Sequence, residues 1–218
     1  MISPCRTHAL LITILLSFVG PVHARAQSGV KDNLVQMIKK VGAHGNVSVR
    51  HPIDEDVTKG TSFGGSLGLA PGHTSGWKYP VSLTLFSEDL HSPNGAQFAF
   101  VRHFGLLAGV GYGWHFGRLA TGASFQVGYA LTREKTEGDL LAAWGTPSVG
   151  VRADNAFLWR PQFKTEYFIT EKFTIRAGVD YMHSHPEIVV TTPTGQVTGW
   201  DLSNIHANVG IGFYPFRK

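Results

Sequence analysis

Cysteine is nearly absent from this sequence, because its 218 residues contain only Cys5. Cys5 lies in an N-terminal segment that we expect to be removed. The mature chain would then have no disulfide, no thiol nucleophile and no cysteine metal site. A lipoprotein needs a cysteine at the cleavage boundary, so that route of membrane anchoring is excluded as well.

The N-terminus also lacks an apolar run long enough to cross a bilayer as a helix. The run Ala9 to Gly20 is shorter than the about 20 residues that such a helix requires. Arg6 precedes it, and Ala24-Arg25-Ala26 follows as an A-x-A cleavage site before Gln27. We expect residues 1–26 to be a cleaved secretory signal peptide.

A basic cluster is missing as well. Removing Arg6 and Arg25 leaves 17 Lys and Arg against 15 Asp and Glu, which lowers the formal net charge from +4 to +2. A nucleic-acid-binding domain is expected to carry a basic patch, whereas these residues are spread along the chain. The glycines between Gly105 and Gly113 occur at every second position, which is typical of a strand rather than a phosphate-binding loop. We predict no nucleic-acid partner.

Glycine and aromatic residues, by contrast, are plentiful. The 26 Gly, 14 Phe, 6 Tyr and 5 Trp favour an all-β architecture. The clearest pattern runs from Ala156 to His183, where apolar and polar residues alternate with the period of a β-strand on both sides of a turn near Thr170 and Glu171. One face carries Phe157, Trp159, Phe163, Tyr167, Phe173, Ile175, Val179 and Tyr181, and the other carries Arg160, Lys164, Glu166, Arg176 and Asp180.

The whole mature chain divides into about eight such strands. Besides the two strands of this hairpin, we predict strands over 46–53, 60–70, 77–86, 97–116, 118–131 and 201–216. A break of the long fourth strand between Arg102 and Gly105 is the alternative reading there. Short turns at 71–76, 117 and 170–171 alternate with longer loops at 54–59, 88–96, 132–150 and 184–200. Eight antiparallel strands can close into an up-and-down barrel without exposed edges.

A single amphipathic helix is predicted before the barrel, over residues 28–43. Val30, Leu34, Met37, Ile38 and Val41 recur at helical spacing, and Gly42 and Gly45 end the pattern. The predicted organisation is a signal peptide over 1–26, a helical segment over 27–44 and a barrel over 45–218. The helix would act as a plug or membrane-surface helix, or would pack across one end of the barrel.

The composition of the polar face indicates which side of the barrel is inside. Gly, Ser, Asn and Gln dominate it, with charges of both signs, as expected of a narrow lumen, while Tyr and Trp near strand ends resemble a membrane girdle. We therefore predict a transmembrane barrel rather than a soluble, lipocalin-like binder of the periplasm. Arg160, Lys164, Glu166, Arg176 and Asp180 are predicted to form a structural network in the lumen, with Arg160 paired to Asp180, rather than a selective pore.

The signal peptide, the eight strands and the closing segment Val209 to Phe216 resemble the small outer-membrane β-barrel family that includes OmpA-like domains. The resemblance implies a monomer in the cell outer membrane, surrounded by outer-membrane lipids and inserted by the barrel assembly machinery. Arg217 and Lys218 depart from the aromatic terminus usual in that family. It also implies a non-enzymatic role in the envelope or in interactions of the surface loops, with 132–150 and 184–200 outside the cell.

An enzymatic alternative comes from His183-Ser184-His185, the one histidine cluster. Outer-membrane lipid A deacylases use a His and a Ser two residues apart on the barrel wall, together with an acidic residue. Here His183 and Ser184 are adjacent, and neighbouring strand residues point to opposite faces. Glu187 lies beyond Pro186. A metal site at His183 and His185 lacks a further ligand at recognisable spacing, so no metal or cofactor is predicted.

Overall fold

The computed structural model describes residues 41–53, 62–71, 75–92, 94–198 and 202–215. The predicted signal peptide lies outside these residues. So does the predicted helix, except for residues 41–43, which form the start of the first strand rather than the end of a helix. Within the described part of the chain, no helix is long and apolar enough to cross a membrane.

The described chain consists of twelve strands and one short helix. The strands that build the main sheet are long, because period-two alternation of side chains continues through most of each one. They are β1 (Val41–Pro52), β2 (Ser62–Pro71), β3 (Gly76–Lys78), β4 (Val81–His91), β5 (Gln97–Phe116), β6 (Leu119–Thr136), β8 (Ala156–Phe168), β9 (Phe173–Ser184) and β12 (Asn204–Phe213). The remaining elements are α1 (Leu140–Trp144), β7 (Gly150–Ala153), β10 (Ile188–Thr192) and β11 (Gly195–Thr198).

The main sheet closes on itself as an eight-stranded antiparallel barrel. Around the barrel the pairing order is β1, β2, β4, β5, β6, β8, β9 and β12. The last strand, β12, returns to pair with β1 from Ala43↔Phe213 to Pro52↔Asn204. The short β3 and the longer β4 both pair with β5, one after the other along its length. They therefore count as one strand of the barrel, interrupted at Tyr79 and Pro80. Closure leaves no free edge in this sheet. The predicted fold class is confirmed.

Several predicted strand bounds need correction. The first strand begins at Val41 rather than at residue 46, and the last covers Asn204–Phe213 rather than 201–216. The third strand continues to His91, and the fifth continues to Thr136, so the predicted loops at 88–96 and 132–150 begin later than expected. The fourth strand runs unbroken over Gln97–Phe116, and the alternative break at Arg102 is wrong. Arg102 sits on the outward face at the loop end, where a charge does not interrupt the ladder.

The two ends of the barrel are built differently. At one end, called the turn end, β5 and β6 are joined through Gly117, whose φ of 61° lies in the left-handed region that glycine adopts without steric cost. At the other end, called the loop end, the predicted loops fold into a cap. We use "loop-end cap" for α1 together with β7, β10 and β11, where β10 pairs with both β7 and β11.

The barrel wall is apolar outside and polar inside. Leu67 and Ile211 each expose 67% of their surface, which would be costly for a barrel surrounded by water. Many other large apolar side chains point outward in the same way, among them Val47, Leu83, Phe104, Val110, Phe125, Val127, Phe163, Ile175, Val179 and Val209. The buried inward side chains include Arg50, Glu88, His103, Gln126, Arg160, Glu166, Arg176, Asp180, Asn204 and His206. This polarity is that of a transmembrane β-barrel.

Candidate functional site: the lumen and the loop-end cap

The predicted lumen residues lie on the inward face of β8 and β9. Arg160, Glu166, Arg176 and Asp180 are buried, and Lys164 is half-buried. The register of the hairpin pairs Gln162 with Asp180, Lys164 with Gly178 and Glu166 with Arg176. These charges therefore share the barrel interior, but their pairing differs from the predicted one.

Arg160 does not pair with Asp180, and that prediction is wrong. The hairpin register lies within the predicted range, with Lys164 opposite Gly178, but it places Asp180 opposite Gln162. Arg160 extends instead toward β6 and β4. Its Nε donates to Gln126 Oε1 at 3.1 Å, its Nη2 donates to the same oxygen, and Nη2 also donates to Ser82 Oγ at 2.8 Å. The guanidinium is thus held by neutral acceptors.

Asp180 faces β12 rather than β8. His206 Nδ1 lies 3.0 Å from Asp180 Oδ2, and Asn208 Nδ2 donates to Asp180 Oδ1 at 2.8 Å. His206 is the direct register partner of Asp180, and Asn208 lies two residues further along the same inward face. A buried carboxylate is stabilised by such donors. Asp180 therefore joins β9 to the closing strand of the barrel.

Glu166 and Arg176 form a buried ion pair near the turn end. Arg176 Nε lies 2.7 Å from Glu166 Oε1, and the two side chains are 4% and 8% exposed, respectively. Tyr214, just after β12, donates its hydroxyl to Glu166 Oε2 at 2.6 Å. Direct opposition of the two residues across the β8–β9 ladder brings their charges together.

Lys164, like Arg160, has no ion pair inside the described part of the chain. It lies between Gly122 on β6 and Gly178 on β9, its two register partners. Glycines on both sides leave room for its long side chain. The predicted network is therefore three separate groups, centred on Arg160, on Asp180 and on the Glu166–Arg176 pair.

A second buried ion pair, which we did not predict, lies near the loop end. Arg50 on β1 pairs with Glu88 on β4, and their side chains are 0% and 2% exposed. Arg50 Nε also donates to His206 Nε2 at 3.1 Å, and Asn204 Nδ2 donates to Glu88 Oε1 at 2.6 Å. The group links β1, β4 and β12 across the interior. With His206 it continues to Asp180.

Aromatic stacking fixes Arg50 further. Its guanidinium carbon lies 4.2 Å from the centre of the Phe86 ring, and Phe86 stacks on His103 with ring centres 4.6 Å apart. His103 Nδ1 is within 3.2 Å of Thr132 Oγ1. Gly64 on β2 makes room for this arrangement, since a Cβ there would lie 3.2 Å from Arg50 Cδ. A cation held over a ring in a desolvated site adds to the stability of the pair.

The alternation of polar and apolar residues in the sequence indicates part of the Arg50–Glu88 group. Arg50 follows Val47 and Val49 on the opposite parity, and Asn204 and His206 lie on the polar parity that we predicted for the last strand. Glu88 has no such signal, because Phe86 and Leu90 give the inward parity of β4 an apolar character and the predicted strand ends before Glu88.

The interior of the barrel is filled by these side chains. An internal cavity bordered by Arg50, Phe86, Arg160, Asp180 and His206 has a volume of about 20 Å³. That is room for about one water molecule. A second, apolar layer inside the barrel consists of Phe86, Leu107, Ala130, Leu158 and Met182.

Above these layers, the loop-end cap has its own apolar core. Phe98 packs edge-to-face on Trp144 of α1 at 5.2 Å, and Asn94 Nδ2 donates to Ala142 O at 2.6 Å. The buried members of this core come from barrel strands and cap alike: Leu90, Phe98, Ala99, Val101, Ala143, Ala153, Ile188, Val190 and Leu202. The predicted loops 132–150 and 184–200 thus contain folded structure that covers the loop end.

The His183-Ser184-His185 cluster is split by the strand, as its spacing predicts. Ser184 is buried, while His183 stacks on Trp159 at 5.2 Å. A different serine approaches the imidazole: Ser203 Oγ lies 2.9 Å from His183 Nδ1 and is 1% exposed as a residue. Among the described residues, no group of three or more His, Cys, Asp or Glu side chains is placed to hold a metal ion.

Comparison with known proteins supports the fold. No protein-family model and no curated protein matches the sequence. Among solved structures, the outer membrane protein OprG from Pseudomonas aeruginosa aligns with a TM-score of 0.64 at 14% identity, over 79% of this chain and 94% of that one. The outer membrane protein AlkL, solved in lipid bilayers, aligns with a TM-score of 0.52 at 15% identity, over 79% and 88%.

Neisserial surface protein A aligns with a TM-score of 0.50 at 11% identity, over 80% of this chain and 95% of that one. The shared feature is the closed barrel of eight antiparallel strands. The chain therefore has the fold of the small outer-membrane β-barrels, as the sequence resemblance implied.

Proposed function

We propose that the protein is a non-enzymatic integral barrel of the outer membrane with a filled lumen, and that its role in the envelope is carried by the loop-end cap. The observation that carries this proposal is the inverted polarity of the wall. Charged and amide side chains are buried inside, while large apolar side chains are exposed outside. Only a lipid environment makes that distribution favourable.

Aromatic clustering near the turn end supports insertion in a bilayer. Trp77 packs edge-to-face on Tyr112 with ring centres 5.7 Å apart, and Tyr112 lies 5.1 Å from Trp114. Phe173 and Phe213 lie 4.9 Å apart at the same end. Rings of aromatic residues at the membrane interface are typical of barrels that span the outer membrane.

The location in the outer membrane follows from the predicted signal peptide together with the barrel fold, since an exported barrel of this polarity fits that membrane of a Gram-negative cell. Insertion by the barrel assembly machinery and a monomeric state complete the proposal. A soluble periplasmic binder is disfavoured, because its interior would need apolar side chains where this barrel buries Arg50, Glu88 and Asp180.

A role as a diffusion channel is disfavoured by the interior. Arg160, Gln126 and Ser82 are bonded across the lumen, and the Arg50–Glu88 group fills the space above them. The apolar core of the cap covers the loop end. The surface left for interaction is the outer face of the cap, including the exposed β11.

Two measurements test the proposal. Outer-membrane fractionation should recover the folded protein in the membrane pellet, and it should migrate differently on a gel before and after boiling. Reconstituted in a planar bilayer, it should show no steady ion conductance. Recovery in the soluble periplasm would overturn the membrane assignment, and a steady conductance would overturn the filled lumen.

A second candidate function rests on the contact between Ser203 and His183. A serine within hydrogen-bond distance of an imidazole, on a wall that faces lipid, is the minimal arrangement for hydrolysis of an acyl ester. Burial of Ser203 disfavours it as a nucleophile. Expression of the parent and of Ser203→Ala should leave the lipid A mass profile identical. Loss of an acyl chain with the parent alone would establish the enzyme instead.

A further inference from the structure

The outer surface of the β5–β6 hairpin carries two arginines directly opposite each other at its loop end. Arg102 and Arg133 are register partners, and both side chains are exposed. They continue the outward parity of Phe104 and Leu131, which are also register partners and are also exposed. Cross-strand partners on one face have Cβ atoms about 4.5 to 5.5 Å apart.

Such a pair is unfavourable unless another group compensates the charge, because like charges directly opposite each other destabilise a sheet. Within the described residues, neither guanidinium forms an ion pair. Arg102 lies over the ring of Phe100, with its guanidinium carbon 5.4 Å from the ring centre. Asp89 lies diagonally across from Arg102 on β4, and no ion pair joins them. Lys135, the next outward residue on β6, is paired with Glu137 at 3.2 Å.

The two arginines lie one outward position beyond the apolar band of their strands. Two residues of a strand span about 6.6 Å, which is roughly 5 Å along the membrane normal for a strand tilted by about 40°. If Phe104 and Leu131 contact the acyl chains, the guanidinium groups lie at the depth of the lipid headgroups. That depth, rather than the charge alone, distinguishes them from the exposed Lys135, which lies one outward position further from the apolar band.

We propose that Arg102 and Arg133 together bind the phosphate group of an anionic lipid in the leaflet around the loop end. Guanidinium groups donate in a planar fork that matches phosphate oxygens, so one phosphate can accept from both side chains and neutralise their repulsion. The acyl chains of the same lipid would continue over Phe104 and Leu131. The inference rests on the proposed membrane insertion.

The test uses the barrel in nanodiscs of digalactosyl diacylglycerol, a bilayer lipid without phosphate, with increasing amounts of either lipid A or dephosphorylated lipid A. Nuclear magnetic resonance of the arginine Nε–Hε groups should show shifts at Arg102 and Arg133 with the phosphorylated lipid alone. Arg102→Gln and Arg133→Gln should each weaken binding about fivefold, the effect expected of one basic residue near an anionic surface. Arg118→Gln, at the turn end of the same hairpin, is the matched control and should bind like the parent.

The urea midpoint of Arg133→Gln provides a second readout, because its change relative to the parent should have opposite signs without and with phosphorylated lipid A. In the phosphate-free galactolipid alone, Arg133→Gln removes a repulsion, so its urea midpoint should rise above that of the parent. With phosphorylated lipid A present, the midpoint of the same variant should fall below that of the parent. A structural role for Arg133 would lower the midpoint in both lipids and would overturn the proposal.

Three further outcomes would overturn it. Equal chemical-shift changes with dephosphorylated lipid A would show that the two arginines do not recognise the phosphate group. Equal weakening by Arg118→Gln would show a general charge effect. Shifts of the same size with inorganic phosphate in galactolipid discs would show a site for the free anion rather than for a lipid. A parent that does not insert in the discs overturns the proposed function and this inference together, whereas insertion without phosphate dependence overturns this inference alone.

Discussion

The two buried ion pairs of the lumen differ in which parts of the chain they join. Glu166 and Arg176 are register partners in one hairpin, so local strand pairing brings them together. Arg50 and Glu88 lie on β1 and β4, which are separated by β2 in the barrel. Their contact requires β1, β2 and β4 to pair in register. Asn204 and His206 extend the group across the closing β1–β12 pairing. The loop-end group therefore joins several strands, whereas the turn-end pair lies within one hairpin.

The surroundings of the two pairs differ as well. Arg50 and Glu88 are 0% and 2% exposed, against 4% and 8% for Arg176 and Glu166. A more completely buried charge loses more when its partner is removed, because less water can reach it. The pair that joins more distant strands is thus also the one whose loss should cost more.

The largest effect is expected for Glu88→Gln, which leaves the Arg50 guanidinium buried without its counter-charge. Removing one member of such a pair typically costs about 3 to 5 kcal/mol. Urea unfolding in lipid vesicles should show this loss. Glu134→Gln, an exposed carboxylate on β6, is the control and should leave the midpoint in place. Replacing both Arg50 and Glu88 by apolar residues of similar size should recover part of the loss, since no orphan charge remains.

The cap should respond separately from the barrel. Ile188→Ala removes a fully buried side chain from the cap core and should destabilise the cap by about 3 kcal/mol. Amide hydrogen exchange should accelerate in β10 and β11, while the urea midpoint of the barrel stays unchanged. Val197→Ala, at an exposed position of β11, should leave the exchange unchanged. A joint loss of cap and barrel would show that the loop end is a single cooperative unit.

Glu166→Gln should have a smaller effect than Glu88→Gln, about 2 kcal/mol, because the amide can still hydrogen-bond Tyr214 and Arg176 is less buried than Arg50. The measurement is the same urea titration, with the two variants side by side. If Glu166→Gln proved the more destabilising change, the ranking of the two ion pairs would be reversed.

The smallest effect should come from Tyr214→Phe, which removes the hydroxyl that donates to Glu166 Oε2. Loss of one hydrogen bond to a buried carboxylate that keeps its ion pair should cost about 1 kcal/mol. Tyr167→Phe is the control, because Tyr167 is half exposed on the outward face of β8 at the same end. An equal change in both variants would mean that Tyr214 does not help to close the turn end.

The barrel could be predicted from the sequence because period-two alternation is a local property. The alternation predicts β5 over the residues that form it in the structure, Gln97–Phe116. It also predicts a shared inward face for Arg160, Glu166, Arg176 and Asp180. The alternation continues through Tyr79 and Pro80, but the strand ladder is interrupted there, since Pro80 has no backbone N–H to donate, and one predicted strand is two.

The pairing of the lumen charges was harder to predict from the sequence. Arg160 bonds Gln126 and Ser82, and Asp180 bonds residues of β12, which the register of one hairpin does not indicate. No local pattern indicates that Arg50 reaches Glu88 across β2. The cap was missed for another reason: its strands are four or five residues long, too short for alternation to be recognised. The β-branched run Ile188 to Thr192, followed by Pro193 and Gly195, was the signal for the β10–β11 hairpin.

The central claim, that the apolar face of the wall meets lipid and the polar face encloses the lumen, can be tested without any substitution. Methyl groups labelled in an otherwise deuterated protein should show nuclear Overhauser contacts to lipid acyl chains in nanodiscs. The account predicts such contacts for Leu67, Val209 and Ile211, which point outward, and none for Leu107, Leu158 and Met182, which point inward. Acyl-chain contacts at the inward methyls, with water contacts at the outward ones, would contradict it.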